Sequence, residues 1–199
     1  MKILLIACTL ALYAAPIRAA LAPGQPAPDF TLSDQTGTPR KLSEAKGKFV
    51  VLEWYNKDCP FVRRHYGAKN MQGLQKKYTG KGVVWYSIDS GAEGKEGYLT
   101  PKAAVKQIKK SGMASTALLL DPKGDVGRLY GAKTTPHMFV IDPKGNLIYM
   151  GAIDDNPSAD KSDDPVKAHN YVSAALDAAM AGKPVETPVT TSYGCSVKY

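Results

Sequence analysis

The chain has 199 residues, of which 44% are hydrophobic and 22% are charged. This composition is typical of a globular protein with one real core, and it excludes long disorder and repeat architectures. The formal net charge is +8, but the cationic pairs lie far apart in the sequence, at residues 63–64, 76–77 and 109–110. The sequence therefore shows no single basic stripe, and we expect no nucleic-acid partner.

The first 19 residues have the pattern of a secretory signal peptide. A cation at Lys2 precedes an uncharged, mostly apolar run over residues 3–15, and small residues follow at Ala19, Ala20 and Ala22. This order predicts cleavage within residues 19–22 and export to the periplasm or the medium. The alternative is a retained membrane anchor, but the run is shorter than the ~20 residues that a bilayer-spanning helix needs. We therefore expect the cleaved chain not to be an integral membrane protein.

Residues 22–181 alternate between strand and helix patterns. Two short runs around a turn at residues 34–39 predict an N-terminal β-hairpin. Apolar, β-rich runs at residues 48–56 and 83–89 predict buried parallel strands. The remaining patterns predict, in order, a helix over 60–78, a helix from 100, a strand at 117–120, a short helix at 126–129, a hairpin over 138–150 and a helix over 165–181.

The order of these elements predicts the fold class. Strands that alternate with helices indicate an α/β fold with a central β-sheet flanked by helices, and the closing hairpin makes the sheet mixed. The first hairpin is an extension at the N-terminal end of this domain. Residues 182–199 follow the last helix without clear periodicity, and we assign them to a C-terminal tail.

Cys59 lies where a buried strand ends and a helix begins, with Pro60 at the favoured first helical position. In open α/β sheets, ligands bind at the carboxyl ends of the strands. A thiol at a helix N-terminus meets free backbone N–H groups and the positive end of the helix dipole, and Arg63 adds a cation one turn further on. Both effects favour the thiolate, whereas Asp58 opposes it. We therefore predict that Cys59 is a reactive thiol and not a structural cysteine.

Four segments carry a resemblance to a known family. Residues 54–62 resemble the active-site segment of the thioredoxin superfamily, and they are most similar to its redoxin branch, the alkyl hydroperoxide reductase/thiol-specific antioxidant-like proteins. Residues 27–32 resemble the N-terminal hairpin of that branch, and Thr134-Thr135-Pro136 resembles its cis-proline loop, followed by a similar hairpin. The resemblance covers residues 22–181 and implies a thioredoxin-like fold.

The resemblance also implies roles for individual residues. Cys59 is the expected nucleophile and Pro136 the cis proline that shapes the site. Arg63 is expected to support the thiolate because it lies one helical turn after Cys59. Thr135 is expected to offer its backbone N–H and C=O to a bound substrate segment. Trp54 is assigned to the wall of the substrate site, with a plain core position as the alternative.

Two departures from the family patterns bear on the chemistry. Thioredoxins carry a second cysteine three residues after the first, where this chain has Val62. Peroxiredoxins carry a proline and a threonine before their cysteine, and counted back from Cys59 these places hold Leu52 and Asn56. The sequence therefore resembles a subgroup of peroxiredoxin-like proteins that keeps only the first thioredoxin cysteine.

Cys195 in the tail is the candidate for a second thiol. Signal cleavage would remove Cys8, and a disulfide cycle that starts at Cys59 needs another thiol to complete it. An internal disulfide with Cys59, an intermolecular role and an inert thiol remain open. The isolated histidines, His65 and His137 among them, form no recognised ligand pattern, so we predict no metal and no cofactor.

These observations predict an exported, thiol-dependent oxidoreductase of antioxidant type. Its expected partners are protein or small-molecule thiols and disulfides, with peroxides as further candidates. The alternative is a non-catalytic binding or chaperone-like module that kept the fold and lost redox turnover. Val62 in place of a second cysteine favours that alternative, whereas the presence of Cys59 favours the enzyme.

Overall fold

The computed structural model describes residues 21–160 and 162–199. The predicted signal peptide, residues 1–19, lies outside the described residues, and so does Cys8. Within the described ranges, no helix combines the length and the apolar character that a membrane crossing requires.

Among the described residues, seven strands form one mixed sheet in the order β2-β1-β5-β4-β3-β7-β8. Strands β3, β4 and β5 run parallel, and β1, β2, β7 and β8 add antiparallel pairings. This arrangement confirms the predicted central mixed sheet and both predicted hairpins. The strands are β1 Thr31–Asp34, β2 Pro39–Lys41, β3 Val50–Trp54, β4 Val84–Asp89, β5 Ala117–Leu120, β6 Thr134–Thr135, β7 His137–Ile141, β8 Leu147–Gly151 and β9 Cys195–Ser196.

Five α-helices flank the sheet in the described part of the chain. They are α1 Pro60–Gly67, α2 Asn70–Thr79, α3 Pro101–Ser111, α4 Asp125–Tyr130 and α5 Tyr171–Met180. Buried side chains of α1, α2 and α5 join one core cluster, and those of α4 join a second cluster. The sheet therefore buries both of its faces, as the continuous apolar runs of its central strands require.

The central strand β3 divides its side chains between these two clusters. Because successive side chains of a strand point to opposite faces, Val51 and, directly after the strand, Tyr55 enter the cluster that contains Cys59. Leu52 and Trp54 enter the cluster on the other face. This alternation decides which side chains of the strand lie near the thiol.

Two predicted helices differ from the structure. The helix predicted over residues 60–78 is two helices, because α1 ends at Gly67 and Lys69 has a left-handed backbone with a φ of 58°. The helix predicted over 165–181 is a short 3-10 turn at Pro165–Lys167 followed by α5, which starts after Asn170. The Asn170 side chain accepts a hydrogen bond from Ser173 N–H, so it caps α5 at this later position.

The tail after α5 follows a defined path along the molecule. It first lies along β8, where Met150 N–H donates to Pro188 C=O and Thr190 N–H donates to Met150 C=O. Thr190 reaches over Gly151, at which a Cβ would lie 2.2 Å from the threonine Oγ1. Beyond Thr190, the tail crosses to the β6 loop, where β9 pairs with β6. The tail thus runs from one edge of the sheet to the end of the sheet at which β3 gives way to α1.

Candidate active site

Cys59 is the N-cap residue of α1, directly after the loop that follows β3. Pro60 occupies the first helical position, as the sequence predicts, and Cys59 N–H donates to Asn56 C=O over 3.2 Å. The side chain of Cys59 is fully buried, and its Sγ donates to Thr135 C=O over 3.0 Å. The thiol therefore lies against the backbone of the β6 loop and not in open solvent.

The β6 loop supplies the other wall of the site. The Thr135–Pro136 peptide bond is cis, as the resemblance implies. Thr135 is 1% exposed, and its carbonyl accepts the Cys59 thiol proton. The structure thus brings together Cys59, Thr135 and Pro136, three of the predicted site residues.

Cys195 completes the group, because the pairing of β6 with β9 sets it directly opposite Thr135. Cys195 packs against the core cluster that contains Cys59, and both cysteines are free thiols. Burial, followed by a hydrogen bond and a charge interaction with the neighbouring Cys59, raises the pKa of Cys195 to about 12. Cys195 is therefore held as a thiol at neutral pH, beside the thiol predicted to react.

Tyr193 anchors the tail just before Cys195. Its ring lies against Phe61, with 5.8 Å between the ring centroids. Its hydroxyl donates to Asp154 Oδ1 and lies 3.1 Å from His65 Nε2. Asn70 Nδ2 lies 2.9 Å from the other ring nitrogen of His65. Since the tyrosine proton goes to Asp154, His65 Nε2 is the donor to Tyr193, and His65 is a neutral imidazole.

Burial agrees with this protonation pattern. His65 is fully buried, and burial together with the charge of Arg64 lowers its pKa to about 3. Asp154 is 1% exposed, and burial raises its pKa although the Tyr193 hydroxyl lowers it in part. The tail hydroxyl therefore satisfies two buried polar groups that belong to the body of the domain.

A second contact fixes the tail beyond Cys195. Val197 N–H donates to Lys133 C=O over 3.1 Å, and Lys198 C=O accepts from Ala92 N–H over 2.8 Å. Tyr199 lies on α4, where its hydroxyl donates to Ala132 C=O over 2.8 Å. A Cβ at Gly127 would lie 2.5 Å from that ring, so glycine provides the space that Tyr199 fills. Cys195 is thus held between anchors on both sides.

Arg63 is only partly brought to the site. Its N–H donates to Cys59 C=O over 2.9 Å, but its side chain is exposed. That side chain lines a cleft of about 940 Å³ beside α1, together with Lys57, Lys106 and Lys110. In the described residues the guanidinium has no hydrogen bond to the thiol, so its support of a thiolate stays a prediction.

Trp54 does not lie at the site. It is fully buried on the opposite face of β3, where its ring packs 5.1 Å from Phe139 and its Nε1 donates to Ser90 Oγ over 3.1 Å. Because its side chain joins the cluster on the face of the sheet opposite to Cys59, the structure places Trp54 in the core, which is the alternative that the sequence left open. The physical reason is that successive side chains of β3 point to opposite faces of the sheet, so that Trp54 points away from the face that carries Cys59.

The histidines do not converge on Cys59 either. His137 Nδ1 accepts from Lys133 N–H over 3.2 Å, and His65 is committed to Tyr193 and Asn70. Across the described ranges, no three histidine, cysteine, aspartate or glutamate side chains cluster in a way that could hold a metal ion.

Glu53 is a buried polar residue that the sequence analysis did not single out. It lies on the Cys59 side of β3, is fully buried, and burial raises its pKa. Four side chains donate to its carboxylate: Tyr66, Gln75, Trp85 and Ser87. The sequence feature that could have identified Glu53 is a lone acid inside the apolar run of β3, because a buried acid there must find hydrogen-bond partners.

Two relatives are similar to this chain in sequence. The chain is 30% identical over 142 residues to the thioredoxin-like protein YneN of Bacillus subtilis, across 70% of this chain and 78% of YneN. It is 28% identical over 130 residues to the thiol-disulfide oxidoreductase ResA of Geobacillus thermodenitrificans, across 65% of this chain and 69% of ResA.

A solved structure matches almost the whole chain. A hypothetical protein of Sinorhizobium meliloti 1021 superposes with a TM-score of 0.78 at 27% identity, over 91% of this chain and 96% of that protein. These likenesses confirm the predicted thioredoxin-like α/β fold. The model of the AhpC/TSA family matches residues 23–150, which is more than half of the chain and includes Cys59 and Pro136. The chain therefore belongs to the AhpC/TSA family.

Proposed function

We propose that this chain is a thiol-disulfide oxidoreductase in which Cys59 is the nucleophile and Cys195 is the resolving thiol. The observation that carries the proposal is the placement of Cys195 opposite Thr135, whose carbonyl accepts the Cys59 thiol proton. The name of the relative ResA supports the same class of reaction. A cysteine three residues after Cys59 is then unnecessary, because the tail delivers the second thiol.

The first step is attack of the Cys59 thiolate on one sulfur of a substrate disulfide. The substrate S–S bond breaks, a mixed disulfide with Cys59 forms, and the other substrate sulfur leaves as a thiolate. In that mixed disulfide Cys59 no longer carries a thiol or a charge. The contribution of Cys59 that raises the pKa of Cys195 is therefore removed, while the contribution of burial remains.

The second step is attack of Cys195 on the Cys59 sulfur. The mixed disulfide breaks, the second substrate sulfur leaves, and a Cys59–Cys195 disulfide forms. The two thiol protons end on the two substrate sulfurs, so the substrate gains two electrons and the chain loses two. An external dithiol restores both cysteines, and the reverse sequence makes the chain an oxidant.

Disulfides fit this site better than peroxides. Thr135 offers backbone groups to an extended segment, whereas Leu52 and Asn56 stand where peroxiredoxins carry the residues that shape a peroxide site. We therefore propose thiol–disulfide exchange as the main reaction. The signal-peptide pattern adds export to the proposal, and disulfide chemistry suits an oxidising compartment. Intact mass of the secreted chain tests export, because residues 1–19 should be missing.

The reaction is tested by counting thiols in a Cys8→Ser background, which leaves Cys59 and Cys195 as the cysteines. After oxidation with a small disulfide, the chain should lose both thiols and gain no mass from the reagent. Cys195→Ser should instead keep the reagent on Cys59, and Cys59→Ser should abolish turnover.

Two results would contradict the proposal. Retention of both thiols after treatment with the small disulfide would show that no internal disulfide forms. Equal disulfide-reduction rates for Cys59→Ser and the parent chain would favour the binding-module alternative.

A further inference from the structure

The tail segment Tyr193-Gly194-Cys195 is bound at the β6 loop as an extended peptide would be bound. It pairs antiparallel with Thr134–Thr135, with Cys195 opposite Thr135 and Ser196 opposite Thr134. Addition of an extended segment to a free backbone edge is a recurring mode of peptide recognition, in which side-chain pockets provide the specificity. The segment therefore shows which side chains this edge accepts.

The residue before the cysteine must be glycine in this binding mode. A Cβ at Gly194 would lie 2.1 Å from the carbonyl oxygen of Thr135, which is a backbone atom and cannot turn away. Gly194 also has a φ of 122°, in the region that glycine adopts readily and other residues avoid. The close approach of the two backbones thus selects glycine at this position.

The residue two places before the cysteine meets a site built for a tyrosine. The Phe61 ring packs against the Tyr193 ring with the two planes 54° apart, and the buried pair His65 and Asp154 binds the Tyr193 hydroxyl. Both members of the pair are at most 1% exposed, so no solvent replaces the hydroxyl while the site is closed. An aromatic side chain with a hydroxyl at its end fits both requirements.

The segment itself is short and only partly covered. β9 has two residues, Cys195 is of intermediate exposure and Ser196 is exposed. Thr190 and Tyr199 hold the tail on either side through contacts that do not involve β6. The segment between these anchors can therefore leave the edge while the ends of the tail stay in place.

Resting on the proposed function, we propose that the β6 edge is a docking site for polypeptide disulfides in which a tyrosine and a glycine directly precede the reacting cysteine. In the absence of substrate, residues 193–195 of the tail occupy this site. The tail is then both the second thiol and a competitor of the substrate. In the exchange, Cys59 Sγ bonds to the peptide cysteine sulfur, the peptide disulfide breaks, and its other sulfur leaves as a thiolate.

The test uses the full chain with Cys8→Ser and Cys195→Ser, which leaves Cys59 as the cysteine that can react. The probes are two peptides, Thr-Ser-Tyr-Gly-Cys-Ser-Val-Lys and the same peptide with alanine for glycine. Each carries its cysteine as a mixed disulfide with thionitrobenzoate, whose release measures the rate. The glycine peptide should react about tenfold faster than the alanine peptide, which corresponds to ~1.4 kcal/mol.

A substitution in the tail tests the competition. Gly194→Ala should expel residues 193–195 from the edge and speed the reaction of the glycine peptide by about tenfold or more. The control is Gly182→Ala, which also replaces a glycine of positive φ in the tail but meets no atom within 4 Å. It should leave the rate unchanged.

The outcomes separate the two proposals. Equal rates for both peptides, or no acceleration by Gly194→Ala, would overturn this inference if the small disulfide dithiobisnitrobenzoate still reacts with Cys59. Absence of reaction with that reagent as well would overturn the proposed function and this inference together. The comparison of the two peptides on the chain that keeps Gly194 holds even where Gly194→Ala lowers the yield of folded protein.

Discussion

Removal of the Tyr193 hydroxyl tests how the tail is held. In Tyr193→Phe the ring keeps its packing against Phe61, but Asp154 and His65 each lose a hydrogen-bond partner. Both partners are at most 1% exposed, so water cannot replace the hydroxyl while the tail stays docked. The substitution therefore removes polar contacts and leaves the apolar ones.

The magnitude follows from the two orphaned groups. A buried polar group without a partner costs about 1–3 kcal/mol. Asp154 keeps the N–H of Asn156 on the same oxygen, over 3.1 Å, so its loss lies at the lower end of that range. We expect the free energy of unfolding to fall by about 2 kcal/mol, or the docking equilibrium of the tail to weaken by about 30-fold.

Two measurements check this expectation. Urea unfolding gives the change in stability, and alkylation of Cys195 in a Cys59→Ser background reports how often the tail opens. The control is Tyr171→Phe, because the Tyr171 hydroxyl has no hydrogen-bond partner among the described residues; it should change stability by less than ~0.5 kcal/mol. Equal effects of the two substitutions on stability and on Cys195 alkylation would refute the assignment of Tyr193 as an anchor.

Two predictions concern the body of the domain. Burial raises the pKa of Asp89 to about 7, so the folded chain keeps a proton there that the unfolded chain has lost above pH ~4. Relative to Asp89→Asn, the parent chain should therefore lose up to about 4 kcal/mol of unfolding free energy between pH ~4 and ~7. Urea unfolding of both chains across this pH range measures the effect. A difference in unfolding free energy between the two chains that does not change with pH would contradict the prediction. Gly73 lies inside α2, where a Cβ meets no atom within 4 Å. Gly73→Ala should stabilise the folded chain by ~0.5–1 kcal/mol and so raise the midpoint of thermal unfolding. A lower midpoint would show that the space beside Gly73 is occupied.

The parts of the site that were predictable lie in short, local patterns. Cys59 and Pro60 mark the start of a helix within two residues, and Thr135-Pro136 is a short motif that resembles the cis-proline loop of the family. Trp54 was misplaced although its neighbours carry the information. Its side chain points with that of Leu52 and away from that of Glu53, as the pleat of β3 requires.

The tail was not predictable because single residues separated by a few positions hold it. Thr190, Tyr193 and Tyr199 each contact a different element, so no period links them. The break between α1 and α2 was hidden for a related reason. Apolar spacing continues through residues 60–78, whereas Lys69 takes up a backbone conformation that its residue type does not indicate.

The contact of the tail with β8 has a consequence for solubility. β8 is the last strand of the sheet, and an uncovered strand at that position could pair with a second molecule and start aggregation. Met150 is instead paired with the backbone at residues 188–190, and Thr190 is held there by Tyr149 and Ala152. Because this contact lies before Tyr193 in the chain, the segment around Cys195 can open without uncovering the strand. In the opening proposed above, the thiols would thus become accessible while this edge of the sheet stays capped.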